Sequence, residues 1–240
     1  MSFTRKTTTT ASVCALLAGT VALPAQAELS GNIGVVSEYV FRGITNAPEN
    51  DDAAVQGGLD WAHDSGFYLG YWGSSLGYSD ESGGGFESDF YGGHAGSLGM
   101  FSYDVGLIYY HYTNIDDADV PEFAASLGLG PVSLGVNVLL DDVVWGNEGD
   151  AYWTLGFAYD LPKDFSFAAT AGFYTYEDSG EFIASSAESS GFRHLDLSLS
   201  RPIGDTGAEM RLTYIVGGED RDGVEQDDAV VLGLSYNFDI

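Results

Sequence analysis

Val230-Val-Leu-Gly-Leu-Ser-Tyr-Asn-Phe-Asp-Ile240 decides the fold. Val230, Leu232, Leu234, Tyr236, Phe238 and Ile240 alternate with Val231, Gly233, Ser235, Asn237 and Asp239, the period-two pattern of a strand with one apolar face. The alternation runs to the last residue, whereas the usual terminal aromatic of a bacterial barrel, Phe238, stands two places short of it. As a free edge of a soluble sheet such a strand would invite aggregation; closure into a barrel removes the edge.

The same rhythm recurs upstream. It is found in Ile33, Val35, Tyr39 and Phe41; in Phe67, Leu69 and Tyr71; and in Tyr103, Val105, Leu107 and Tyr109. Later come Val132, Leu134, Val136 and Val138; Leu195, Leu197 and Leu199; and Met210, Leu212, Tyr214 and Val216. About twelve segments follow, at 31–42, 53–62, 67–75, 87–97, 101–112, 122–129, 132–140, 151–159, 165–176, 192–200, 208–216 and 229–240. Most are close to the roughly 9–11 residues a tilted strand needs to cross hydrocarbon. Helical periodicity is absent, and frequent Gly opposes helices. The connections alternate between tight turns (63–66, 98–100, 130–131, 160–164, 201–207) and longer polar loops (43–52, 76–86, 113–121, 141–150, 177–191, 217–228). A soluble sandwich has no reason to alternate in this way, but an outer-membrane barrel has short periplasmic turns and long outer loops. The expected fold is therefore all-β: a closed antiparallel transmembrane β-barrel of about 12 strands.

The N-terminus reads as an export signal over residues 1–27. Arg5 and Lys6 precede an apolar stretch from Ala11 to Leu23, and Pro24 leads to the small-x-small site Ala25-Gln26-Ala27. The barrel then occupies 28–240, in the outer membrane of a Gram-negative cell. Cleavage removes the single Cys14 and both cations, so the formal charge moves from −28 to −30. Disulfides play no part in such a chain. Its 36 Asp plus Glu against 8 Lys plus Arg exclude a nucleic-acid binder working by phosphate neutralisation. A hydrophobic content of 45% excludes a disordered acidic tail.

Three stretches resemble a known group: Ser37-Glu-Tyr-Val-Phe-Arg-Gly-Ile-Thr45, Gln56-Gly-Gly-Leu-Asp60 and Gly66-Phe-Tyr-Leu-Gly-Tyr-Trp-Gly-Ser74. With Tyr109-Tyr-His-Tyr112 they resemble the TorF-type porins, also known as the Gcw_chp conserved hypothetical proteins of proteobacteria. The resemblance implies an outer-membrane barrel and a porin role. It supplies no substrate and no functional residues.

Twenty-two of the 36 acidic residues fall in the six long loops. They would form a negative vestibule that enriches cations, or simply a solvated surface adapted to salt. Asp220, Asp222, Glu225, Asp227 and Asp228 invite a calcium reading, as do the acids of Ile115–Asp119, although neither stretch has EF-hand spacing. Adventitious divalent cations at these loops are the extent of the cofactor expectation.

By the alternation rule Glu38, Arg42, Asp60, Asp104, Asp196, Glu209 and Arg211 face the lumen. Arg42 shares a face with Glu38 and is expected to meet Asp60; Arg211 is flanked by Glu209. They would form either a selective constriction or a salt-bridged filling, with Tyr68, Trp72, Tyr110 and Tyr112 narrowing the bore. Tyr39, Phe41, Trp61, Phe67, Tyr71, Phe101, Tyr103, Tyr236 and Phe238 are expected in lipid-facing girdles. No Gly-x-Ser-x-Gly elbow or His-x-x-x-His pattern accompanies the four histidines, so no enzyme is expected. The function expected is a passive, cation-biased channel for small solutes. The alternative is a non-conducting structural or surface-interaction protein with a filled lumen. Its partners would be outer-membrane lipid and lipopolysaccharide, the barrel-assembly machinery and small solutes.

Overall fold

A computed structural model describes residues 28–45, 52–77 and 85–240 of the chain; the expected export signal, 1–27, lies outside them. Twelve strands follow in order: β1 (Glu28–Val36), β2 (Ala54–Ala62), β3 (Phe67–Leu76), β4 (Gly85–Leu98), β5 (Phe101–Thr113) and β6 (Val120–Leu129). Then come β7 (Val132–Leu139), β8 (Ala151–Leu161), β9 (Phe165–Thr175), β10 (Ser190–Pro202), β11 (Ala208–Gly217) and β12 (Ala229–Asp239). Each pairs antiparallel with its sequence neighbours, and β1 with β12 closes the barrel through pairs such as Asn32↔Asn237 and Gly34↔Ser235. The closed, twelve-stranded antiparallel barrel is the fold expected from the alternation.

Turns at 63–66, 99–100, 130–131, 162–164 and 203–207 join the strands at one end. Gly99 (φ +66°) and Gly130 (φ +58°) take the left-handed backbone that the two-residue hairpins require. Longer connections meet at the other end, which is the outer one by the short-turn rule.

Burial is inverted relative to a soluble domain. Leu69, Leu107, Leu134 and Leu232 are 61, 54, 59 and 59% exposed on the outer face. An apolar band this continuous around a closed sheet suits hydrocarbon, not water. Trp61, Phe67, Phe101, Tyr236 and Phe238 lie on this exposed face, as girdles require. The buried core is the lumen, where Trp72, Ile108, Tyr110, Tyr112 and Val120 pack inward.

The first strand corrects the sequence reading. Alternation predicts a strand over 31–42, but β1 ends at Val36. Its last ladder contacts tie Ser37 N to Leu232 O at 2.8 Å and Leu232 N to Ser37 Oγ at 2.9 Å. The chain then turns inward. Tyr39 and Phe41 consequently pack in the lumen instead of facing lipid: Tyr39 meets Trp72 edge-on at 5.8 Å, and Phe41 meets Tyr110 at 6.3 Å. Period-two spacing is blind to this departure, because the inward-folded segment keeps apolar residues at alternate positions.

Candidate functional site

Residues 37–45 leave the wall at the outer end and cross the lumen. The crossing is possible because Arg42 (φ +49°) and Gly43 (φ +74°) adopt left-handed backbone, which turns the segment tightly enough for Phe41 to bridge Ile44. Glycine is required at the second position. A Cβ on Gly43 would lie 2.4 Å from His194 Cβ, besides opposing the positive φ.

The turn aims Arg42 at the opposite wall. Its guanidinium donates Nη1 to Glu122 Oε1 at 2.9 Å and Nη2 to Glu122 Oε2 at 2.7 Å, a bidentate fork to β6. Nη1 also donates to Tyr174 Oη on β9 at 2.9 Å, and Nη2 to Tyr110 Oη on β5 at 3.2 Å. Glu122 accepts two further bonds, from Tyr110 Oη at 2.9 Å and Asn137 Nδ2 at 2.8 Å. The ring of Tyr152 lies against the guanidinium at 4.6 Å. The two charged side chains are 9% and 1% exposed, so the pair is desolvated and its remaining sites are filled by neutral groups. Arg42 therefore fastens the segment across the barrel from β1 to β5, β6 and β9. The predicted partner Asp60 is not used; it accepts from Tyr91 Oη on β4.

A second chain of contacts supports the latch from β10. A register shift between Phe192 and His194 makes Arg193 and His194 consecutive buried residues, 4% and 2% exposed. Arg193 Nε donates to Arg42 O at 3.2 Å. His194 lies 2.6 Å from Asp196 through Nδ1 and 2.6 Å from Tyr152 Oη through Nε2, holding the tyrosine beneath Arg42.

The other sequence-predicted lumen residues are distributed around this centre. Tyr68 Oη donates to Asp104 at 2.6 Å on the wall near the inner end. Arg211 pairs with Glu209 at 3.2 Å, as their spacing suggests. Glu38, Arg42, Asp196 and Arg211 line one lumen cavity of about 320 Å³, whereas Asp60, Asp104 and Glu209 do not. Sequence reasoning missed Glu122, Asp89, Glu87, Tyr152 and His194. Their parity with inward-facing neighbours on each strand was a usable signal; that they converge on Arg42 was not.

The outer loops close over the latch. Trp145 packs edge-on against Phe41 and Tyr110 and donates Nε1 to Ala118 O at 3.0 Å. Arg221 reaches Asp150 at 3.1 Å and Ser186 Oγ at 3.0 Å, linking three loops. The calcium candidates are engaged differently. Asp220 Oδ1 accepts the amides of Asp222 and Val224 at 2.9 Å, and Asp228 accepts from Tyr214 Oη and from the amide of Gly217 at 3.1 Å. Among the described residues no three His, Cys, Asp or Glu side chains group as metal ligands would. Asp227 offers its backbone oxygen to Thr45 Oγ1 at 3.1 Å, and Glu225 forms a bridge with Glu219.

A closed barrel with an apolar outer band, a polar lumen and an inward-folded first loop defines an outer-membrane β-barrel of the porin-like type. The chain belongs to the Gcw_chp family, described as bacterial proteins of unknown function, whose profile matches residues 22–228. Solved structures of similar fold include the KdgM porin (TM-score 0.52, 10% identity, 87% of this chain and 99% of that one). The COG4313 outer membrane channel from Pseudomonas putida F1 is also similar (TM-score 0.54, 10% identity, 91% and 97%). A third is the NanC porin (TM-score 0.50, 12% identity, 87% and 98%). No curated protein sequence matches the chain significantly.

Proposed function

We propose that the protein is a narrow outer-membrane channel for small solutes, with its bore constricted by residues 37–45 and a bias toward cations. The observation that carries this reading is the inner face of the sheet. Strand after strand turns Asn32, Gln56, Ser133, Thr154, Thr170, Ser198, Thr213 or Ser235 toward one cavity. A barrel built only to anchor loops has no need of polar side chains on so many strands facing one cavity. Its cations are neutralised locally, Arg42 by Glu122 and Arg211 by Glu209, so Glu38 and Asp196 leave the cavity net acidic. The acidic outer loops act in the same direction. Residues 1–27 serve as the export signal in this reading.

The chemistry at hand favours passage over catalysis. The Asp196–His194 pair ends on a phenol, Tyr152, stacked against a guanidinium, and not on a serine hydroxyl.

A second reading, the filled and non-conducting barrel, is favoured by the Arg42 latch, which crosses the lumen with four hydrogen bonds. Planar-bilayer recording in potassium chloride separates the two. Small, cation-preferring steps from the native protein, enlarged several-fold in Arg42→Ala, are the expected result. Silence from both folded proteins would overturn the channel reading.

A further inference from the structure

Asp89 is a buried carboxyl group that the latch leaves without a hydrogen bond. It sits on the inner face of β4, is 5% exposed, and its Oδ1 is buried without a hydrogen-bond partner. Such a carboxyl costs several kcal/mol in a dry site unless a donor or a positive charge reaches it. The nearby Arg42 guanidinium contributes charge but no hydrogen bond to it: the guanidinium's hydrogen bonds go to Glu122, Tyr110 and Tyr174. Asp89 lines the cavity of about 320 Å³ below the segment, together with Glu38.

That volume is at the lower end of small-molecule sites and much larger than a bare ion needs. Around Asp89 the lining presents aromatic and apolar surface from Trp72, Tyr39, Phe41 and Val36, beside Tyr110 and the Arg42 guanidinium, with Tyr39 and Trp72 already in edge contact at 5.8 Å. A metal ion would lack ligands, since no three acidic or His side chains converge among the described residues. The missing element is an N–H donor with a positive charge, attached to a body that fits an apolar wall.

We propose that this cavity binds a small primary ammonium compound, its charged head donating to Asp89 and its apolar part lying against Trp72 and Tyr39. Glu38 adds attraction from the inward-folded segment. The ammonium donates hydrogen bonds and stands near aromatic faces, where a cation is favoured. A quaternary ammonium has the charge but no donor, and it leaves Oδ1 unpartnered. The proposal deepens the channel reading and rests on it only for how the solute arrives.

Calorimetric titration of the folded barrel in detergent with 2-phenylethylammonium chloride tests the site, with tetramethylammonium and potassium at equal ionic strength as controls. Expected is saturable one-to-one binding, weakened about ten- to a hundredfold in Asp89→Asn, as befits a lost charged hydrogen bond. Asp164→Asn, in an inner-end turn, should bind as the native protein does. Glu38→Gln lies off the barrel wall and cannot disturb strand pairing; it should weaken binding about two- to fivefold through lost attraction. Equal affinity for tetramethylammonium, undiminished binding in Asp89→Asn and Glu38→Gln, or no binding to the native barrel would each overturn the proposal. Binding without conductance would keep the site and sink the channel. Conductance without binding would do the reverse.

Discussion

Arg42 and Glu122 behave as one unit, and their variants should show it. Removing the guanidinium leaves a carboxylate 1% exposed with only the neutral donors Tyr110 and Asn137. Where the site stays dry, that costs about 3–5 kcal/mol. Arg42→Met should therefore lower the urea midpoint of the refolded barrel, and Glu122→Met should do likewise. The double variant should recover most of the loss, because neither charge is then stranded. An additive double-variant loss would show that the pair is not coupled. Asp142 makes a prediction of opposite character, at an exposed site. Its two oxygens accept the amides of Glu148 and Glu181 at 2.7 Å, and these bonds hold its carboxyl below the usual range. A depressed value means that the ionised form favours the joined loops. The contribution is present above the ordinary aspartate value of about 3.9 and is lost as pH falls through the lower folded value. Amide exchange at Glu148 and Glu181, corrected for intrinsic rates, should stay constant from pH 7 to 5. It should quicken only below about pH 4. In Asp142→Asn it should already be quick at pH 7.

The inward-folded segment is where sequence and structure part. Eleven of the twelve strands lie within a few residues of the spans that alternation predicts; only the first is cut short, at Val36. Ser37–Thr45 carries the family resemblance, yet its spacing alone describes a strand. What it forms depends on Arg42 finding Glu122, eighty residues away in sequence. Two glycines report on this element. A Cβ at Gly43 meets His194, and one at Gly172 meets His194 Nε2 at 2.5 Å. Gly43→Ala opposes both the positive φ and the wall, so it should displace the segment and raise conductance. Gly172→Ala presses on the imidazole and the Tyr152 ring without opposing a positive φ, and should loosen Tyr152 with a smaller effect. Equal conductance in both variants and the native barrel would mean that the segment does not set the bore.

Over the whole molecule, the two faces of one sheet answer to different media. Leu107, 54% exposed in the middle of β5, faces hydrocarbon, whereas Thr170 lines the cavity. Arginine at the first site should cost about 2–4 kcal/mol in phospholipid vesicles. Thr170→Arg, facing water and acidic side chains, should cost much less while altering the current. The distribution of cations has the same whole-molecule logic. The chain outside residues 1–27 has six Lys plus Arg, and three of them, Arg42, Arg193 and Arg221, hold the outer end together. The net charge therefore understates how far positive charge organises the lumen.

The sequence by itself determined the strands, their alternating faces, the short and long connections and the acidic outer end. These follow from spacing of two along a pleated chain and from turn residues, which are local properties. Parity along β10 and β11 also puts Asp196 and Arg211 on inner positions. Only the tertiary structure decided that the first loop folds back, that Arg42 takes Glu122 and not Asp60, and that Asp89 is left without a donor. Those outcomes depend on which side chains meet across a closed barrel. That meeting is set by register and closure among residues far apart in sequence, and period-two spacing carries no information about it.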